Sequence, residues 1–224
     1  MAEIHGVAGE WARVKGSVLG LWPLFLGVFA AGFSAALCIN ERMLGLSLLV
    51  ASLVFVLWSL VIGLRHVERF YKGARGEEKV SGMLESLPPA YHVFNDFVAG
   101  RAHVDHVVVG PSGVFAVETK CWSGKVTIED GRVLVDGQPP DRKPLAQAQR
   151  EAALVKGALA KAGWVGAVTP VLAFALDSFD ARRAEVRGVV VLNASELRRS
   201  FETDRVVIPP SELDRLVAIM ESRS

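Results

Sequence analysis

Cysteine is scarce in this chain of 224 residues, which has only Cys38 and Cys121. One lies inside a hydrophobic run and the other far away, which excludes a disulfide framework and a thiolate zinc cluster and fits a reducing compartment. Net charge is equally scarce, with 25 Lys and Arg against 24 Asp and Glu. Three residues of each sign precede Arg65, leaving 22 basic and 21 acidic residues in the remainder. The balance excludes a global basic footprint, so any grip on nucleic-acid phosphates has to be local. No internal repeat or low-complexity linker occurs, which excludes repeat arrays and long disordered connectors.

Hydrophobic residues, by contrast, make up 51% of the chain, and the mean hydropathy is positive. Residues 17–39 and 44–64 contain no charged side chain, and each run reaches the roughly 20 residues that a helix needs to cross a bilayer. Only residues 40–43 separate them, so two spans would form a tight antiparallel hairpin. Gly27, Ala31 and Ala35 recur at four-residue spacing and could form its close-packed face. Arg13 and Lys15 precede the first run, Arg65, Arg69, Lys72 and Arg75 follow the second, and Arg42 alone sits between them. The positive-inside rule puts both ends in the cytoplasm. A cleaved signal peptide is the competing reading of the first run, but the run is long for a signal core and another span follows at once. The expected organisation is a cytoplasmic segment at 1–16, a transmembrane hairpin at 17–64 and a cytoplasmic domain at 65–224. Such a chain is a multi-pass protein of the inner membrane.

The densest chemistry lies between His103 and Trp122. Two valine-rich runs flank Gly110-Pro111-Ser112-Gly113, the pattern of a β-hairpin. If Gly110 pairs with Gly113, Asp105 lies opposite Glu118, and strand alternation puts Lys120 on the same face. Val107, Val109, Val114 and Ala116 share that face, with Val108, Phe115 and Val117 on the other. A hairpin apolar on both sides belongs inside an α/β domain, where carboxylates are costly. Opposed carboxylates repel unless a cation intervenes, and the pattern suggests a Mg2+ site beside a lysine able to stabilise negative charge. A hairpin whose Asp105, Glu118 and Lys120 form a salt bridge at a solvated sheet end would carry the same residues. Alternation turns His106 away from Asp105, consistent with a packed, hydrogen-bonded core histidine. Trp122 could stack on a base or pack at the strand end.

Gly73-Ala74-Arg75-Gly76-Glu77, Val104-Asp105-His106-Val107-Val108-Val109-Gly110, Gly113-Val114-Phe115, Glu118-Thr119-Lys120 and Trp122-Ser123-Gly124 together resemble the nuclease-related domain, NERD, of the PD-(D/E)xK nuclease superfamily. The resemblance covers about residues 70–165. It implies a restriction-endonuclease-like α/β fold with a mixed central sheet flanked by helices. It further implies Asp105 and Glu118 as ligands of Mg2+ or Mn2+, Glu77 as a third acidic ligand from the preceding helix, and Lys120 as the catalytic lysine. Pro144-x-x-Gln147 resembles a later element of the family and implies that Gln147 faces the site. Cys121 stands where a polar residue is expected.

The remaining pattern predicts a helix over 65–87, a strand at 91–98 before the hairpin, and a second hairpin at 125–129 and 133–136. A helix from Pro144 to about Ala162, buried strands at 168–176 and 188–193, and helices at 195–201 and 211–221 follow, the last capped by Ser211. The expected function is a membrane-anchored, metal-dependent nuclease that hydrolyses nucleic-acid phosphodiesters in DNA processing, with DNA the favoured partner. The alternative is a membrane-tethered module that binds nucleic acid or a protein partner on the same fold without cleavage.

Overall fold

In the computed structural model, which describes residues 1–100, 102–203 and 206–222, the chain forms two units. One is Glu10–Ala74, and the other joins Met1–Gly9 to Arg75–Ser224.

The first unit is helical. Helix α1 covers Glu10–Leu37 and α2 covers Arg42–Glu85, the latter reaching on into the second unit. Both are long and apolar enough, by length and composition, to cross a membrane. The buried residues of α1 are Ala12, Gly16, Gly20, Gly27 and Ser34, and the last four meet α2. A Cβ on Gly27 would lie 2.7 Å from Val56, and one on Gly63 would collide with the Gly20 carbonyl. Ala31 is half-buried and Ala35 exposed, a correction to the expected stripe. The seven-residue spacing of Gly20, Gly27 and Ser34 follows the 3.5-residue period of a left-handed helix pair, so a four-residue series rotates off the interface. Ser34 Oγ lies 3.5 Å from Ser52 Oγ. Phe25, Phe29, Phe33, Leu57 and Trp58 point outward, each more than half exposed.

The second unit is built on a seven-stranded mixed sheet. Its strands are β1 (Glu3–His5), β2 (His92–Ala99), β3 (Ala102–Gly110), β4 (Gly113–Lys120), β7 (Val168–Phe174), β8 (Arg183–Val186) and β9 (Val189–Asn193). The spatial order is β1-β2-β3-β4-β7-β9-β8, with β5 (Val126–Glu129) and β6 (Arg132–Val135) forming a separate hairpin. Parallel pairing joins β1 to β2, β4 to β7 and β7 to β9; the remaining pairs are antiparallel. Helix α3 (Pro144–Lys161) lies on the path from β4 to its parallel neighbour β7, and α4 (Leu197–Phe201) and α5 (Pro210–Glu221) close the chain.

Each sheet face carries its own core. On one, Val107, Val109, Val114 and Ala116 pack with Ala152, Val155 and Leu159 of α3 and Leu213, Leu216 and Met220 of α5. On the other, Val93, Val108, Val117, Val171 and Ala173 pack with Val80 and Leu84 of α2 and Leu197 and Phe201 of α4. Fully buried valines of this kind contribute roughly 1.5–3 kcal/mol each, which explains why the β3–β4 pair is apolar on both sides.

Two edge strands, β1 and β8, are not among the elements expected from the sequence. Each is only three or four residues long and exists through pairing with a longer neighbour rather than through its own pattern. Helix α5 starts one residue early, at Pro210 with Pro209 as the cap and no side-chain capping hydrogen bond, so Ser211 is not the cap. Proline at the first helical position already has the required φ and lacks the amide that a cap would satisfy.

Candidate functional site

The β3–β4 register runs from Gly110 opposite Gly113 to His106 opposite Val117 and stops there. Asp105 is the next residue, one step short of a pair with Glu118. Its Oδ2 instead accepts the Thr119 amide hydrogen at 2.7 Å, so a side chain takes over where the backbone ladder opens. The other edge of β3 is interrupted at the same level, because Asn95 pairs with His106 and Phe97 with Val104 while Asp96 is skipped. Asp96 has a φ of 51°, a left-handed conformation that is uncommon for a side-chain-bearing residue in a strand. Asp105 thus projects from a local break in the sheet.

Alternation along β4 sets Glu118 and Lys120 on one face. The Lys120 ammonium donates to Glu118 Oε1 and to Gln147 Oε1, the latter at 3.2 Å. Gln147 Nε2 in turn donates to Glu151 Oε1 at 3.0 Å. Residues four apart share a helix face, so the face of α3 that meets β4 presents Gln147 and Glu151 together. Gln149 points elsewhere and donates to the Arg187 carbonyl at 2.7 Å.

Glu77 arrives from α2. Its neighbour Gly76 is buried at the end of β4, where an added Cβ would lie 2.7 Å from Cys121 Cβ. Only a residue without a side chain lets the helix approach this closely. The Gly9 backbone amide lies near the Glu77 carboxylate and favours its charged form, so the N-terminal segment also reaches the site.

Four carboxylates therefore surround one lysine, and the protonation of Glu77, Asp105 and Glu151 responds to the crowding. Burial raises Glu77 to about 7, with Asp96 and Glu118 adding to the shift and Lys120 and the Gly9 amide opposing it. Asp105 is pushed well above its ordinary value by burial and by Glu118, Glu77 and Glu151. Burial and Glu118 raise Glu151 to about 9 against the Gln147 hydrogen bond and Lys120. Glu118 Oε2 and Glu151 Oε2 are both buried, and the two carboxyls lie close enough for a protonated Glu151 to donate to Glu118. Carboxyl oxygens with no nitrogen or sulfur donor among them suit a hard divalent cation such as Mg2+ or Mn2+, which would displace the protons that crowding retains. Glu77, Asp105, Glu118 and Glu151 are the residues that could hold one.

The residues singled out from the sequence, Glu77, Asp105, Glu118, Lys120 and Gln147, converge here. Glu151 and Asp96 do not stand out in the sequence. The one sequence signal for Glu151 is its position four residues after Gln147 in an otherwise alanine-rich segment. Asp96 carries none, because its role depends on a backbone kink. His106 is fully buried; its Nδ1 lies 2.7 Å from Asn95 Oδ1, and burial lowers it to about 3, so it is a neutral core residue. Trp122 packs against Phe174 with ring centroids 5.7 Å apart.

A mixed sheet flanked by helices, with carboxylates and a lysine gathered where its central hairpin opens, defines a nuclease-like α/β domain. The nuclease-related domain family matches residues 72–193, more than half of the chain, and the chain belongs to that family. An uncharacterized protein of Bacillus anthracis is 36% identical over 66 residues, which cover 27% of this chain and 31% of that protein. The match thus spans about a third of the curated relative's length. No solved structure is a significant match.

Proposed function

We propose that the chain is a membrane-anchored nuclease that uses a divalent metal to hydrolyse phosphodiester bonds of nucleic acid, most readily DNA, in DNA processing. The observation that carries this reading is the crowding of four carboxylates around Lys120, with buried oxygens on Glu118 and Glu151 and with Glu77, Asp105 and Glu151 all pushed towards their protonated forms. Asp105 and Glu118 are assigned as ligands of Mg2+ or Mn2+, with Glu77 and Glu151 completing the acidic shell. When bound, the ion supplies Lewis-acid stabilisation of the charge that develops on the phosphate oxygens. Lys120 orients the attacking water and neutralises the phosphorane oxygens, and Gln147 holds its ammonium in position. A protonated Glu151 donates a proton within the set and limits the negative charge that the site carries before metal enters.

The two apolar helices serve as the anchor in this reading. The basic residues at their outer ends favour both termini and the nuclease-related domain on the cytoplasmic side of the inner membrane. The near-neutral charge of the domain keeps one other reading in view: a tethered module that binds nucleic acid or a partner without cleaving it.

The test is cleavage of labelled single- and double-stranded DNA and RNA by the full chain in detergent, with and without Mg2+ or Mn2+. The full chain is needed because β1 and Gly9 precede the helices yet belong to the nuclease-related unit. Metal-dependent cleavage supports the enzyme; binding without cleavage by a folded, metal-loaded chain supports the tethered module.

A further inference from the structure

Away from the acidic set, three donors of a different kind lie within 4.8 Å of one another: Glu3 and His5 of β1 and His92 of β2. The parallel register sets Glu3 beside His92 and His5 beside Phe94, so all three side chains emerge on one face of the sheet edge. His5 stacks on Phe94 with ring centroids 4.4 Å apart and planes 10° from parallel, which fixes its ring. Its Nε2 faces His92 Nδ1 at 3.4 Å, and the same His92 nitrogen lies 3.4 Å from Glu3 Oε2.

Two imidazole nitrogens and a carboxylate oxygen at these separations have the spacing of ligands around one small ion. A tetrahedral zinc site with metal–nitrogen bonds of about 2.0–2.1 Å sets its donors roughly 3.3–3.4 Å apart. The far side of His5 strengthens the assignment. Its Nδ1 lies 3.6 Å from Glu221 Oε1 on α5, within a small side-chain shift of the hydrogen bond by which a carboxylate holds a ligating histidine in the correct tautomer. Two imidazoles also separate this site chemically from the all-oxygen acidic set, since nitrogen donors favour zinc and its neighbours over magnesium.

We propose that Glu3, His5 and His92 form a binding site for a zinc-class divalent transition-metal ion, with Glu221 positioning His5. The ion ties β1 to β2, and through Glu221 to α5. It thereby fastens the segment that carries Gly9, four residues beyond His5, whose amide faces Glu77.

The experiment titrates the metal-free full chain, in detergent, with Zn2+ against a colorimetric chelator, and with Co2+ as a visible-absorbing substitute. One equivalent of zinc, a tetrahedral cobalt spectrum and a zinc-dependent rise in Tm are expected. His5→Ala and His92→Ala abolish all three, and Glu221→Gln weakens zinc binding by about 10–100-fold. Glu3 is exposed, so Glu3→Ala keeps the fold and must weaken uptake even if a histidine variant fails to fold. Asp105→Ala keeps the zinc equivalent. Unchanged zinc uptake in Glu3→Ala and the histidine variants, or no uptake by the folded native chain, overturns the proposal.

Discussion

The Lys120 ammonium on β4 donates a hydrogen bond to Gln147 Oε1 on α3 at 3.2 Å, a contact that joins sheet and helix at the acidic set. A hydrogen bond to a charged group contributes about 1.5–3 kcal/mol. If it positions the lysine for the chemical step, Gln147→Ala lowers kcat about 10–100-fold and leaves KM nearly unchanged. Gln149→Ala, on the other side of the helix, leaves both unchanged. Steady-state kinetics on a labelled oligonucleotide decide the matter, and a change in KM alone would make Gln147 a substrate contact.

Glu151 gives the metal-free protein a pH-dependent liability. Its folded-state pKa is raised from 4.5 to about 9, so the folded state holds a proton that the unfolded chain releases. The associated stability is present below pH 4.5 and is lost as pH rises towards about 9, and Glu77 and Asp105 act in the same direction. Glu151→Gln removes one such group. The metal-free variant should match wild type in Tm at pH 4.5 and exceed it at pH 8.5; parallel Tm curves across that range would contradict the shift.

Metal and protons compete for the same oxygens. Glu77 titrates at about 7, so Mg2+ or Mn2+ binding should strengthen as pH rises through neutrality and should release protons. Calorimetry at pH 6.5 in buffers of different ionisation enthalpy measures that release directly. Binding that is independent of pH, with no proton release, would place the ion elsewhere.

Much of this site is legible in the sequence, and what is not depends on packing. Alternating valines around a glycine-bounded turn fix the register from Gly110–Gly113 to His106–Val117, and strand alternation alone puts Glu118 beside Lys120. Glu151 is hidden because a glutamate in an alanine-rich helix ordinarily faces solvent, and only the seating of α3 on β4 turns it inward. Asp96 is hidden because its left-handed backbone has no sequence signature. Strand β1 is hidden because three residues next to a charge-free helix carry no pattern, and β2 supplies its hydrogen-bond partners.

Two glycines of α2 should respond in opposite ways to alanine. Gly76→Ala puts a Cβ 2.7 Å from Cys121 Cβ and should destabilise the domain by about 1–3 kcal/mol through overpacking. It also shifts Glu77 away from the site. Gly82 has nothing within 4 Å of the added atom, so Gly82→Ala should stabilise by about 0.5–1 kcal/mol through helix propensity. Chemical denaturation separates the two, and equal effects would contradict the close approach of α2 to β4.

The most direct test of the central claim follows Mn2+ binding and single-turnover DNA cleavage together in the full chain, comparing wild type, Lys120→Met and Asp105→Asn. A metal-dependent nuclease centred on Asp105 and Lys120 predicts that wild type binds and cleaves. Lys120→Met should still bind Mn2+ but lose cleavage by at least about 10²–10³-fold, and Asp105→Asn should lose both. Cleavage at the wild-type rate by either folded variant, or the absence of cleavage by metal-loaded wild type, would contradict it.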